Sequence, residues 1–312
     1  MRDAVIKEVE KLARNDKNVI LISGDLGYGV LDNFRKQMPK QYFNVGVCEQ
    51  NMASVAAGMA LEGKKVYTYS IGNFPTLRCI EQIRNDICYH NANVTIIAVG
   101  GGFAYGSLGM SHHATEDIAI MRSLPNMRVF TPADASEAHL VAYQSAKLNA
   151  PCYIRLNKGG EPDIHSSYAA VESYGFGQAI PLREGEDVCL FSAGAITMEA
   201  LKAAQALAMQ KVEATVYSFP CVKPIDTEIL HMCAKRYKYV FTIEEHNIIG
   251  GFGSAVSENI AEKGTATKVI RIGLPDIYSS IVGSQSYLRH AYQMDSQAIA
   301  KKVMETIKSD KN

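Results

Sequence analysis

The feature that most constrains this chain is an alternation, run twice, between short β-rich apolar runs and longer helical patterns. The runs NVILIS (18–23), KVYTYS (65–70), NVTIIAVG (93–100), MRVFTP (127–132) and CYIRL (152–156) are separated by helical patterns at 3–14, 49–61, 76–90, 116–123 and 134–148. The last of these follows Thr131-Pro132-Ala133-Asp134, which sets Ala133 or Asp134 near the cap and Glu137 in the first turn. Strands that are apolar throughout must be buried on both faces, and the intervening helices are long enough to cross over. Together they imply βαβ units and a parallel sheet.

At 159–174 the pattern lapses into GGEPDIHSSYAAVESY, a cluster of Gly, Pro, Ser and polar residues that reads as a linker. A second series follows, with apolar runs at 187–194, 213–219, 239–245 and 267–273 and helical patterns at 195–210, 225–235, 252–262 and 295–308. The expected fold is therefore α/β, two doubly wound domains, residues 1–160 and 175–312. The length of 312 residues agrees, at about 150 residues per domain.

Composition narrows the function classes. Lys+Arg and Asp+Glu stand at 32 each, so there is no net field to draw in nucleic acid or an anionic membrane. No run of about 18 apolar residues exists to span a bilayer. Charges interrupt the first stretch, MRDAVIKEVEKLARNDKN, every few residues, so no signal peptide is expected. The seven cysteines form no C-x-x-C pair, and reduced thiols in a cytoplasmic protein are the simple expectation. The P-loop, G-x-G-x-x-G, G-x-S-x-G and H-E-x-x-H motifs are all missing. His112 and His113, adjacent on an extended segment, should point apart, so no metal site is expected.

Three segments begin where a predicted strand ends: Ser23-Gly24-Asp25-Leu26-Gly27-Tyr28-Gly29; Val45-Gly46-Val47-Cys48-Glu49-Gln50-Asn51-Met52, which runs into the small-residue helix ASVAAGMA; and Gly109-Met110-Ser111-His112-His113-Ala114-Thr115-Glu116-Asp117. In a parallel sheet the carboxyl ends of the strands share one edge, where ligands bind. Glu49 opens its helix, where the N-terminal dipole favours a carboxylate, and a helix-capping charge is one reading. Its neighbours Val45, Val47, Met52, Ala53 and Val55 are apolar, and a desolvated carboxylate suited to sharing a proton with a ring nitrogen is the other.

With these motifs in place the chain resembles the C-terminal section of a transketolase, the pyrimidine-binding domain followed by the transketolase C-terminal domain, as in the second, or β, subunit of a split enzyme. The carriers are GDLG (24–27), VGVCEQNM (45–52), GMSHHATED (109–117), RSLPN (122–126), PAD (132–134), Glu244-Glu245-His246 and GGFGSAV (250–256), which together span essentially the whole chain. The resemblance implies a thiamine diphosphate enzyme in which Glu49 hydrogen-bonds the aminopyrimidine ring and favours its imino tautomer, so that the coenzyme can become a carbon nucleophile. It would then move a two-carbon ketol unit from a ketose or ketose phosphate to an aldose.

The same resemblance implies that Asp25 and Leu26 lie near the cofactor and a subunit contact, that Phe74 stacks on the aminopyrimidine, and that His112 faces the substrate channel as a second catalytic residue. Arg2 and Lys158 would bind substrate phosphate. Each has a plainer reading: a turn aspartate, a core leucine, a packing phenylalanine, a loop histidine, a terminal arginine, a loop lysine. Two departures bear on the substrate. Leu108 stands where the family carries an acidic residue before the histidine segment, and no histidine lies upstream in IIAVGGG, so donor hydroxyl contacts differ.

A third departure concerns the coenzyme's charged tail. The family holds the diphosphate and Mg²⁺ through a G-D-G segment and a later asparagine, and this chain has no G-D-G. The expectation is a split enzyme whose partner, an N-terminal transketolase subunit, supplies that site, in an α2β2 assembly. The alternatives are the β subunit of a 2-oxoacid dehydrogenase, which shares the domain pair, and a non-catalytic scaffold subunit. A one-chain deoxyxylulose phosphate type synthase shares the Glu-Gln pair but carries its diphosphate domain on the same chain.

Overall fold

In a computed structural model of the chain, residues 1–309 are described, and their strands form two sheets. The first contains β1 (Val19–Ser23), β2 (Tyr42–Asn44), β3 (Lys65–Ile71), β4 (Val94–Val99), β5 (Arg128–Phe130) and β6 (Cys152–Leu156), joined by β10 (Cys221–Lys223), in the order β10-β5-β6-β4-β3-β1-β2. The second contains β7 (Ile180–Arg183), β8 (Val188–Ala193), β9 (Ala214–Ser218), β11 (Tyr239–Asn247) and β12 (Lys268–Leu274), in the order β12-β11-β8-β9-β7. The pairings among β1 to β6 and among β8, β9, β11 and β12 are parallel. Every residue of β1, β4, β6 and β8 is buried, which is why these runs are apolar without alternation.

Three features depart from the sequence reading. β7 and β10 are short antiparallel additions, pairing with β9 and β5. Pro181 lies in β7 and Pro224 follows β10, and proline restricts a strand to an edge, so neither reads as a strand in advance. β10 also comes from beyond the linker and completes the first sheet. The helix expected at 76–90 is instead a 3₁₀ turn (Leu77–Cys79), one α turn (Ile80–Gln82) and a π-helical stretch (Ile83–Cys88). The wider π turn keeps Ile83, Ile87 and Cys88 on the core side, and the 3₁₀ turn presents Arg78 to Glu49.

The segment 159–174 is a strap pinned at several points. The Ile164 and His165 amides donate to Asp134 Oδ2 at 2.9 and 2.8 Å, and Val171 packs with Leu140 and Ile180. One apolar core runs through both sheets, from Ile22, Ile96 and Tyr153 to Phe191, Phe219 and Phe252.

Candidate active site

The carboxyl ends of β1, β3, β4 and β6 meet at one edge of the first sheet, followed by Gly24, Gly72, Gly100 and Asn157. Glu49 stands here as the first residue of the helix Glu49–Leu61, buried at 1% exposure. Its Oε2 accepts from Arg78 Nη1 at 2.6 Å and its Oε1 from Ser70 Oγ at 3.4 Å. Gly24 lies alongside: a Cβ there would sit 3.5 Å from Oε1 and fill the space next to the carboxylate. The surroundings are less apolar than the flanking sequence implies, because Val47 is 69% exposed and Arg78 arrives from elsewhere in the chain.

Arg78 leads to the other candidates. Its guanidinium carbon lies 4.8 Å from the centre of the Phe74 ring. Phe74 meets the His112 ring edge-on, centroids 5.2 Å apart at 72°, and His112 stands 6.3 Å from the Tyr105 ring. Lys158 Nζ sits over Tyr105 at 5.1 Å. Arg2 acts on this region through its charge: burial pushes the Tyr69 phenol up to about 12 against the opposing charge of Arg2. Tyr105 is likewise raised by burial and opposed by Arg2. Glu49, Phe74, His112 and Lys158 are thus linked through Arg78 and Tyr105, and Arg2 bears on the same phenols through its charge.

The clamp on this array is Asn73. Its Nδ2 donates to the His113 carbonyl at 2.6 Å and to the Ser111 carbonyl at 3.3 Å, tying the histidine loop to the residue before Phe74. Gly72 permits the approach, since a Cβ there would lie 2.9 Å from that of Ala114. The two histidines do point apart. His112 is half-buried and bonds Ser111 Oγ through Nδ1 at 3.1 Å, whereas His113 is buried against Phe103.

Asp25 and Leu26 sit apart from this array. Asp25, at φ +60°, accepts from Asn44 Nδ2 at 2.8 Å and from the Tyr28 hydroxyl at 3.2 Å. Asn44 Oδ1 in turn accepts from the amides of Asp25 and Gly46, at 3.1 and 3.0 Å, fixing the approach to Glu49. Leu26 packs into the apolar core around Leu21 and Phe34.

Glu244-Glu245-His246 joins the two sheets. Glu245 Oε1 accepts from the Phe103 amide at 2.6 Å and from Gln285 Nε2 at 2.8 Å, and Oε2 pairs with Arg289. Arg155 Nη2 donates to the carbonyls of Ala114 and Glu245, both at 2.9 Å, and its Nε to Asp117 Oδ2 at 2.8 Å. Glu244 accepts from the amides of Phe252 and Gly253 at 2.7 and 2.9 Å, capping the helix Phe252–Glu262. Burial outweighs those two bonds and pushes its carboxyl up to about 7, and burial takes His246 down to about 4.

Arg78, Asn73 and Tyr105 were not legible as site residues. Arg78 is 29 residues from Glu49 in a segment that reads as ordinary helix. Only its place four residues after Phe74, suited to stacking, hints at the contact.

A doubly wound sheet with a buried helix-opening glutamate, an aromatic ring and a histidine loop at its carboxyl edge defines a class, the transketolase-type pyrimidine-binding fold. Comparison makes this specific: the transketolase pyrimidine-binding domain matches residues 1–161, and the transketolase C-terminal domain residues 177–299. The chain belongs to the transketolase family. It is 36% identical to the B subunit of the apulose-4-phosphate transketolase of Actinobacillus succinogenes, over 85% of each chain. It is 32% identical to the protein of the same name from Phocaeicola vulgatus, over 96% of this chain and 94% of that one. A solved structure described as a split gene transketolase, inactive beta4 tetramer, superimposes with a TM-score of 0.89 at 34% identity, covering 97% of both chains.

Proposed function

We propose that this chain is the β subunit of a split, thiamine diphosphate-dependent transketolase that transfers a two-carbon ketol unit from a ketose, or its phosphate, to an aldose acceptor. The observation that carries the reading is buried Glu49 at the head of a series of contacts that runs through Arg78 to Phe74, His112 and, by way of Tyr105, Lys158. Relatives named as subunits of a transketolase support it.

The residues present fit the coenzyme's ring. Glu49 offers a buried carboxylate beside the bare Gly24, and Phe74 offers an aromatic face within reach of the same guanidinium. They do not fit its metal: among the described residues no group of three or more His, Cys, Asp or Glu could hold one. Thiamine diphosphate, when bound, supplies the electron sink that carbon–carbon cleavage beside a carbonyl requires. Glu49 would hold a proton shared with a ring nitrogen, Phe74 would orient the ring, and His112 would face the substrate. Arg2 and Lys158 would attract a substrate phosphate. Asp25 and Leu26 would act at one remove, shaping the loop beside Gly24 and a subunit contact. Residues 1–160 carry this site and residues 175–312 brace it.

The diphosphate and Mg²⁺ then fall to an N-terminal transketolase subunit, in an α2β2 assembly. Exposed apolar side chains on the surrounding loops, Tyr28, Val47, Leu77, Leu108 and Met110, support such a covering partner. No helix among the described residues is long and apolar enough to cross a membrane. The seven cysteines are all free thiols, six of them buried, and a cytoplasmic setting would keep them reduced.

The test is a reconstituted pair supplied with a ketose and an aldose. Ketol transfer is expected, and Glu49→Gln should lower turnover by about two to four orders of magnitude, the range of general acid–base contributions. Turnover of a 2-oxoacid with an artificial electron acceptor, and none of a ketose, would overturn the reading. Unchanged activity of the Glu49→Gln pair would remove Glu49 from the chemistry.

A further inference from the structure

Arg78 is absent from every motif that marks this chain, yet it holds the centre of the site. Its Nη1 lies 2.6 Å from Glu49 Oε2, and its guanidinium carbon stands 4.8 Å from the Phe74 ring centre. These two residues, a buried carboxylate and an aromatic face, are what a flat nitrogen heterocycle needs. A guanidinium resembles such a ring in the relevant respects. It is planar, presents N–H donors in its plane to a carboxylate, and offers a face to an aromatic side chain.

We infer that Arg78 is an internal surrogate for the coenzyme's aminopyrimidine, occupying the ring's place on Glu49 and Phe74, so that ring binding requires Arg78 to swing away. The inference rests on the coenzyme reading given above. The geometry makes the two occupants mutually exclusive. Arg78 faces Glu49 at 2.6 Å and the Phe74 ring at 4.8 Å at once, so a heterocycle that stacks on that face of Phe74 while bonding Glu49 must displace the guanidinium. Arg78 can swing out without moving the backbone, because its side chain is 46% exposed while the buried Cys79 beside it keeps the turn in place, and the incoming ring takes over its bond to Glu49. The surrogate keeps the buried carboxylate paired until the ring replaces it, and it weakens binding by the strength of that pair.

The test uses the full chain and an aminopyrimidine that lacks the diphosphate, 4-amino-5-hydroxymethyl-2-methylpyrimidine, so that no partner is needed. Binding is followed by calorimetry or ligand-detected NMR at millimolar probe. Arg78→Ala should bind the probe about tenfold more tightly than the unmodified chain, the worth of one charge-assisted hydrogen bond. Arg78→Lys, which keeps a cation for Glu49 but cannot lie flat on Phe74, should fall between them. Adding Glu49→Gln to Arg78→Ala should abolish the gain. Circular dichroism of each variant confirms the fold.

Equal or weaker binding by a folded Arg78→Ala chain, including no binding by any variant, would overturn the surrogate and leave the assignment of Glu49 to the paired enzyme's chemistry standing. Tighter binding that survives Glu49→Gln would overturn the surrogate too, and would place the ring away from Glu49, sinking the coenzyme reading with it.

Discussion

His165 is the residue whose charge the fold most visibly controls. Its Nε2 lies 3.0 Å from Glu137 Oε1, with a side chain only 8% exposed. Burial works against the imidazolium, but the hydrogen bond and charge of Glu137, with the charge of Asp134, outweigh it and raise the histidine above its ordinary 6.5. A group raised in the fold adds stability that is complete below its unfolded value and fades as pH climbs through the folded one. The strap 159–174 should therefore be most resistant to limited proteolysis below about pH 6.5 and progressively more open as the pH is raised above it. His165→Gln should flatten that profile, and a strap equally resistant across the range would refute the assignment. At this scale the sequence was informative wherever function concentrates residues locally. Glu49 drew attention because it opens a small-residue helix just after a strand, whereas Phe74 and His112 were named only through the family resemblance. Arg78 and Asn73 were not legible, because their partners are set by how a turn is wound and by contacts 29 and 40 residues apart.

Among the elements, the helix Ala135–Lys147 shows how much one side chain can organise. Asp134 Oδ1 accepts from the Glu137 amide at 2.9 Å, and Glu137 Oε2 reaches back to the Ala133 amide at 2.7 Å, a reciprocal cap displaced by one residue. The cap was readable in advance, because capping is chemistry between neighbours. Asp134's other oxygen was not, since it accepts the two strap amides of Ile164 and His165 some 30 residues on. Asp134→Ala should then cost about 4 kcal/mol, a cap of about 1 kcal/mol plus two part-buried bonds to a charged group at about 1.5 kcal/mol each. Asp134→Ser should keep the cap and lose only the strap. Urea midpoints for the three chains measure this, and an Asp134→Ser midpoint equal to that of the unmodified chain would deny the strap contribution. The same contrast explains the strands. β1, β4, β6 and β8 announce themselves as buried apolar runs, whereas β7 and β10 exist because a neighbouring edge accepts them. The stretch 76–90 carries helical periodicity, but packing beneath Glu49 winds it partly as 3₁₀ and partly as π.

For the whole molecule, the proposed function turns on how charge would balance if a coenzyme with an anionic diphosphate tail were bound. The two sheets are tied by β10, by a shared apolar core, and by Arg155 and Glu245, which connect the Ala114 loop and the Phe103 amide to the second sheet. That rigid frame sets Glu49, Phe74 and His112 in place, and it supplies Arg2 and Lys158 as cations near Tyr105. It supplies no acidic cluster for a divalent ion among the described residues. Diphosphate bound through Mg²⁺ needs carboxylate or carbonyl oxygens on the metal's protein side. On the proposed reading, a ring site alone, which Arg78 would contest, would not compensate for an ungripped tail. The purified chain should therefore give no calorimetric signal with thiamine diphosphate and Mg²⁺ at micromolar concentrations, and no ketol transfer. Addition of a partner chain carrying G-D-G and the later asparagine should restore both together, because the coenzyme would then be held from two sides. Micromolar binding by the lone chain would show that the tail is gripped here after all, and the two-subunit site would have to be abandoned.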